Sequence, residues 1–351
     1  MAKRPWLALF RALRGYLCVV RWPIRVCVIA ACVLVAVVAA ALSWLPAPAS
    51  AAERPVRHFL HPDVPRPNAA DIIERPAAGH AHGPLLLFLP ATRAVPSDYL
   101  AFADTATRVG YHVLSLEYHN TGRSIARTCQ VDATCYTSVQ TNRLNGGTPS
   151  RFSRVGHEGG ILPRFAAAIG AANRRDPAGQ WSQYLSLDRP VWKDIVVAGH
   201  SQGGGEAAFI SHLHALRGVI MFSSPVDDDR GVIPTWMHAP GATPTSRMYG
   251  FDDAGDIYAG RIVGSWRAMG LRSAIDTGAP VAGAHLFVTH YDLGTPVQAH
   301  DRSVTDASPG AATGHPVFEA QWTWMLRHTF SPVRPTTITA RSSDSVHTGR
   351  T

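Results

Sequence analysis

The stretch Ile195-Val196-Val197-Ala198-Gly199-His200-Ser201-Gln202-Gly203-Gly204-Gly205 constrains this chain more than any other part of it. Its apolar, β-branched first half reads as a strand buried on both faces, and its small-residue second half as the opening of a helix. The two are joined by G-x-S-x-G, a turn so sharp that a side chain at either flanking glycine would collide with the neighbouring strand or helix. A serine in such a turn is held in strained backbone with its hydroxyl in the open. The first helical turn aims N–H groups and a positive dipole end at the same place, so the Gln202 amide can stabilise negative charge that develops there. Ser201 is therefore the candidate nucleophile; the plainer alternative is a glycine-rich turn whose serine caps a helix.

A strand that feeds a helix predicts further units of the same kind. Leu85-Leu86-Leu87-Phe88-Leu89, bounded by Pro84 and Pro90, is a continuous apolar run suited to the middle of a parallel sheet. A helix over 97–109 and a strand over 111–117 complete a βαβ crossover, and 159–173 carries Ile161, Leu162, Phe165, Ala168, Ile169 and Ala172 at helical spacing. Strands are expected over 218–222, 247–251 and 284–289, with helices over 257–269 and 316–328. The alternation predicts an α/β chain with a doubly wound, mostly parallel sheet. Residues 52–83, rich in proline, histidine and alanine, read as an extension wrapping the core, with a short strand near 57–60. Residues 120–155 lack periodicity and read as a loop insertion near the site, and 331–351, dominated by Ser, Thr, Arg and Pro, as a disordered tail. The catalytic domain is thus expected over 84–330.

At this point the residues resemble a family. Gly199-His200-Ser201-Gln202-Gly203-Gly204 is similar to the nucleophile elbow of the α/β-hydrolase superfamily, in particular its secreted lipases and esterases, and the likeness extends over about 84–328. It implies a catalytic triad in the chain order Ser, acid, His. Phe88-Leu89-Pro90-Ala91-Thr92 resembles the family's oxyanion loop, with Ala91 where glycine is usual. Thr92 is the preferred second amide of the oxyanion hole beside Gln202, Ala91 the alternative, and a plain turn residue the competing reading of Thr92. For the acid, Asp252, Asp253 and Asp256 all follow the strand 247–251, with Asp256 first choice and Asp253 the alternative; Asp227, Asp228 and Asp229 come third. Asp256 also fits as the cap of the following helix. His300, in the loop after the last strand, resembles the family's catalytic histidine, with His290 and His315 qualifying by order alone. The chemistry implied is hydrolysis of a carboxylic ester through an acyl-enzyme. An acyltransferase, a peptidase or a non-catalytic binding module of the cell envelope could be built on the same residues.

Other classes find less support. The net charge of +8 is concentrated at the start of the chain, where 1–51 holds Lys3, Arg4, Arg11, Arg14, Arg21 and Arg25 and no acid; the remainder is nearly balanced at 27 basic against 25 acidic residues. No basic run interleaved with aromatics follows, so nucleic acid is not an expected partner. No nucleotide fingerprint appears, so no cofactor is expected. His80 with His82, and His212 with His214, lack the carboxylates or cysteines that would make a metal site, and none is predicted. Val26 to Leu45 is apolar and long enough to cross a bilayer, and Ala47-Pro48-Ala49-Ser50-Ala51 offers A-x-A cleavage sites. Residues 1–51 are read as a signal peptide or a membrane anchor; either topology exports the rest. Cys129 and Cys135, the two cysteines beyond that leader, then predict a local disulfide.

Overall fold

The computed structural model describes residues 54–330, apart from 66–68, 78–81, 272–273, 277–279 and 281. The expected leader (1–51) and tail (331–351) lie outside the described residues. Among the described residues no helix is long and apolar enough to cross a membrane.

The apolar runs form a single nine-stranded sheet. Its strands in chain order are β1 (Val56–Leu60), β2 (Asp71–Arg75), β3 (Leu85–Leu89), β4 (His112–Ser115), β7 (Ile195–His200), β8 (Gly218–Phe222), β9 (Met248–Asp253), β10 (Ala274–Asp276) and β11 (Leu286–Thr289); a separate small hairpin holds β5 (Leu185–Ser186) and β6 (Arg189–Pro190). The spatial order is β1-β2-β4-β3-β7-β8-β9-β11-β10. From β4 to β10 every pairing is parallel, while β2 runs antiparallel to both β1 and β4.

Side-chain alternation explains why such strands need no polar residues. Leu85, Leu87 and Leu89 enter one core layer, with Ile195, Val197, Phe165 and Ile210; Leu86 and Phe88 enter the other, with Val196, Ala198, Phe102 and Trp322. A strand with core on both sides must be apolar at every position. The helices covering the two faces are α1 (Leu100–Val109), α2 (Ile125–Cys129), α3 (Ala133–Asn145), α4 (Ile161–Arg175), α5 (Gln202–Leu213), α6 (Ala259–Ala268), α7 (Pro296–Asp301) and α8 (Glu319–Phe330). Helices α4, α5 and α6 contribute to the first layer, and α1 and α8 to the second.

Three expectations need correction. Residues 52–83 do not merely wrap the core: β1 and β2 extend the sheet, and β2 is buried over Asp71–Glu74. Charged ends hide this strand in the sequence, yet they have partners. Asp71 accepts from the Glu117 amide at 2.6 Å, and Glu74 pairs with Arg57 at 2.6 Å. Nor is 120–155 structureless, since it contains α2 and α3. Asp132 caps α3 by accepting from the amides of Thr134 (3.0 Å) and Cys135 (3.1 Å). The helix buries Gln140, Asn142 and Arg143 beside Tyr136, Val139 and Leu144, so its inward face shows no hydrophobic period. Finally, His300 lies in the short helix α7 rather than in open loop, behind a Thr295–Gln298 capping box.

Candidate active site

In an open parallel sheet, side chains converge at the carboxyl edge, where the strands end and their loops begin. Ser201 follows β7 at the sheet's centre, between β3 and β8. Its φ of 52° and ψ of −115° lie in a region few non-glycine residues adopt. The neighbouring glycines make that turn possible. A Cβ on Gly199 would run into the backbone of Gly203, one on Gly203 into the carbonyl of Leu89, and one on Gly204 into the Ser224 hydroxyl. Gly205 has no such constraint: a Cβ there would come no nearer than 3.8 Å to Gln140 Nε2, its closest neighbour outside the helix.

Two other segments reach the serine, the helix α7 and the turn after β9. His300 Nε2 is 2.7 Å from Ser201 Oγ, and His300 Nδ1 is 2.7 Å from Asp256 Oδ2. Asp256 stands just past β9, its Oδ1 accepting from the Tyr258 amide at 2.6 Å. Burial alone would raise the Asp256 carboxyl, but the hydrogen bond and charge of His300, together with a hydrogen bond from Asp252, hold it below its ordinary value. An ionised Asp256 requires the proton on His300 Nδ1, which leaves Nε2 free to accept from the serine.

The other acids have different partners. Asp253 accepts from Thr289 Oγ1 (2.7 Å), the Gly255 amide (2.8 Å) and the Tyr291 amide (3.1 Å), so it ties the end of β9 to that of β11. Asp227 accepts from Gln140 Nε2 at 2.9 Å, Asp228 accepts from the Gly231 amide, and Asp229 lies beside Arg230 and Arg261. His290 and His315 are exposed, and the imidazole bonded to Ser201 is that of His300. His82 meets Gln183 at 3.4 Å; His212 and His214 pack against Trp236 and Trp192. His80 is outside the described residues. Among the described residues no group of histidines, cysteines and carboxylates could hold a metal ion.

Two amides beside the serine in chain or cleft are without an acceptor among the described residues. Gln202 opens α5, where helix geometry leaves its N–H without an intrahelical acceptor. In the loop after β3, the Ala91 amide donates to Tyr99 Oη (3.0 Å), Arg93 to Asn120 O (3.1 Å) and Ala94 to Ala91 O (3.1 Å), whereas the Thr92 amide makes no hydrogen bond among the described residues. Thr92 Oγ1 donates to Gln202 Oε1 at 2.9 Å and fastens this loop to the elbow. Asn120 Nδ2 bonds the carbonyls of Ala91 and Ala94, both at 2.7 Å, and Tyr118 bonds that of Pro90 at 2.8 Å. The loop is thereby fixed with one amide left over.

Sequence reasoning passed over Tyr99 and His200 in this network, and it named Asp252 as a candidate acid without choosing it. His200, the variable position of the elbow, is buried; its Nε2 lies 2.9 Å from the His300 carbonyl and its Nδ1 3.0 Å from Tyr99 Oη. A carbonyl only accepts, so Nε2 carries the hydrogen and Nδ1 accepts from the tyrosine. Burial, aided by the nearby His300, pushes His200 down to about 3, so the ring is neutral. Tyr99 and His200 thus connect the Ala91 amide to the backbone of His300. Asp252 adjoins the same network: burial and then the charge of Asp256 raise it well above its ordinary value, and Ser223 Oγ donates to its Oδ1 at 3.3 Å. Its position at the end of β9 was the available signal, obscured by the adjacent Asp253.

The strand order, the antiparallel second strand and the strained serine between β7 and α5 define the α/β-hydrolase fold. Solved structures similar to this chain include the Pyrococcus furiosus esterase Pf2001 (8% identity, 79% of this chain and 93% of that one, TM-score 0.41). Others are a bacterial heroin esterase (12%, 85% and 90%, 0.39) and a thermostable esterase from Pseudomonas putida (14%, 84% and 88%, 0.38). No protein-family model and no curated protein matches the sequence. The fold assignment rests on strand order and elbow geometry, which the chain displays by itself.

Proposed function

We propose that this chain is an exported serine hydrolase that cleaves carboxylic esters through an acyl-enzyme. The observation that carries the proposal is the continuous line from Asp256 Oδ2 through the His300 ring to Ser201 Oγ, 2.7 Å at each junction. As the serine oxygen bonds to the ester carbonyl carbon, its proton passes to His300 Nε2. The carbonyl electron pair moves onto oxygen, which the Gln202 and Thr92 amides receive. Collapse of this intermediate breaks the bond to the alcohol oxygen, which leaves with the proton from His300. Water then gives a proton to His300 and attacks the acyl carbon; the serine oxygen leaves and recovers the proton, releasing the acid.

Export is supported by the basic, apolar leader with its A-x-A sites and by the bonded pair Cys129–Cys135, since disulfides persist in oxidising compartments. Nitrophenyl esters of increasing acyl length test the activity. Ser201→Ala is expected to remove turnover while leaving the melting curve in place, and turnover at the parent rate in that variant contradicts the proposal.

A further inference from the structure

The cleft in front of Ser201 and His300 has a volume of about 330 Å³, at the small end for ligand sites. Part of its lining is apolar, from Ile257, Tyr258 and Val297, which suits the hydrocarbon portion of an ester. The rest is unusually cationic. Arg93, from the loop after β3, and Arg123 and Arg127, from the segment entering and forming α2, all line the cleft. All three are exposed, and among the described residues none forms an ion pair. Asp301 is the one carboxylate in the lining, and among the described residues it forms no ion pair with any of the three.

The chain also holds these arginines together. Arg93 Nε donates to Gly122 O at 3.0 Å, which brings the loop bearing Arg123 alongside, and α2 ends at Cys129, bonded to Cys135 at the start of α3. Arginines scattered over a solvated face have no reason to converge on the mouth of one cleft without a carboxylate to neutralise them. Guanidinium groups match carboxylate oxygens in a planar, two-pronged geometry that an ammonium group lacks.

We infer that the substrate is a small ester bearing a free carboxylate, held by Arg93, Arg123 and Arg127 while Ser201 attacks the ester carbonyl. This rests on the hydrolase reading above and adds the class of substrate. The carboxylate can belong to the acyl or to the alcohol part, and two matched pairs of compounds separate these sources. The mono-nitrophenyl ester of glutaric acid against its methyl-capped diester tests the acyl side. 4-Acetoxybenzoate against its methyl ester tests the alcohol side.

With the full exported chain at low ionic strength, kcat/KM for the charged member of at least one pair is expected to exceed that of its capped partner roughly tenfold, a ratio that shrinks as salt screens the charges. Arg123→Ala with Arg127→Ala should bring the ratio to about one, and Arg123→Lys with Arg127→Lys should leave it between the two, since lysine preserves charge while losing the fork. Turnover of both members of each pair with no preference for the charged one, or a preference untouched by the double alanine variant, overturns the inference and leaves the hydrolase reading standing. No turnover of any of the four compounds overturns both.

Discussion

Replacing Asp256 by Asn alters one atom at the far end of the triad, and the surrounding contacts decide its consequence. In the parent protein Asp256 Oδ1 accepts from the Tyr258 amide at 2.6 Å while Oδ2 accepts from His300 Nδ1 at 2.7 Å. An asparagine can keep only one oxygen. The backbone amide of Tyr258 must have an acceptor, so the side-chain oxygen stays there and the NH2 group turns toward His300. Nδ1 then has to accept, the ring proton moves to Nε2, and Nε2 can no longer take the proton of Ser201. Wrong-tautomer variants of this kind lose roughly 10⁴ in rate, or about 5.4 kcal/mol of transition-state stabilisation at 1.36 kcal/mol per tenfold. Steady-state hydrolysis of nitrophenyl butyrate by purified parent, Asp256→Asn and Asp253→Asn proteins measures it. Asp253 contacts Thr289, Gly255 and Tyr291 and not the histidine, so its variant should stay within about tenfold of the parent, losing mainly fixation of the loop. A nearly active Asp256→Asn protein beside a disabled Asp253→Asn protein would refute the reasoning.

Other consequences concern packing, the disulfide and pH. Gly203→Ala forces a methyl group against the Leu89 and Pro90 carbonyls, so chemical denaturation should show a loss of about 2 to 3 kcal/mol, with activity falling as the Thr92 loop is displaced; Gly205→Ala, whose added Cβ meets only ordinary van der Waals contacts, should change stability by less than about 0.5 kcal/mol. Replacing Cys129 and Cys135 together by Ser should cost about 2 to 3 kcal/mol by loop entropy, read as a lower thermal midpoint. Burial raises Glu206 from 4.5 to about 8 against the pull of Arg143, and Asp227 from 3.8 to about 7 against the Gln140 hydrogen bond and the charges of Arg261 and Arg143. A raised carboxyl binds its proton more tightly in the folded state. Its contribution is complete below its unfolded value and is lost as pH climbs through the folded one. The thermal midpoint should therefore fall between pH 6 and pH 9, and Glu206→Gln, permanently neutral, should flatten that fall.

The parts legible in the sequence were those where one local requirement dictates residue type. Leu85–Leu89 and Gly218–Phe222 are uniformly apolar because both faces are core, and their observed bounds match the expected ones. The elbow was legible because Gly199 and Gly203, the two glycines of G-x-S-x-G, answer to backbone clashes that a side chain cannot relieve. What stayed hidden depends on partners distant in sequence. Strand β2 reads as Asp-Ile-Ile-Glu-Arg, and its acids and arginine make sense only beside Glu117, Arg57 and Asp176. Helix α3 turns polar residues inward because Asn142 bonds the amide and carbonyl of Val155 and Gln140 bonds Asp227, so hydrophobic periodicity carried no trace of it. Order along the chain narrowed the choice to a few acids and histidines. Geometry then brought Asp256 and His300 to Ser201 and tied Asp253 to the neighbouring strand.

Every step of the proposed hydrolysis requires the Ser201 oxygen to be a nucleophile. Treating the purified protein with a fluorophosphonate and mapping the adduct by peptide mass spectrometry tests this most directly. A single stoichiometric adduct on the peptide containing Ser201, absent after Asp256→Asn and His300→Ala replacement or formed far more slowly, is the predicted result. A folded parent protein that takes up no label, or takes it up on another residue, would contradict it.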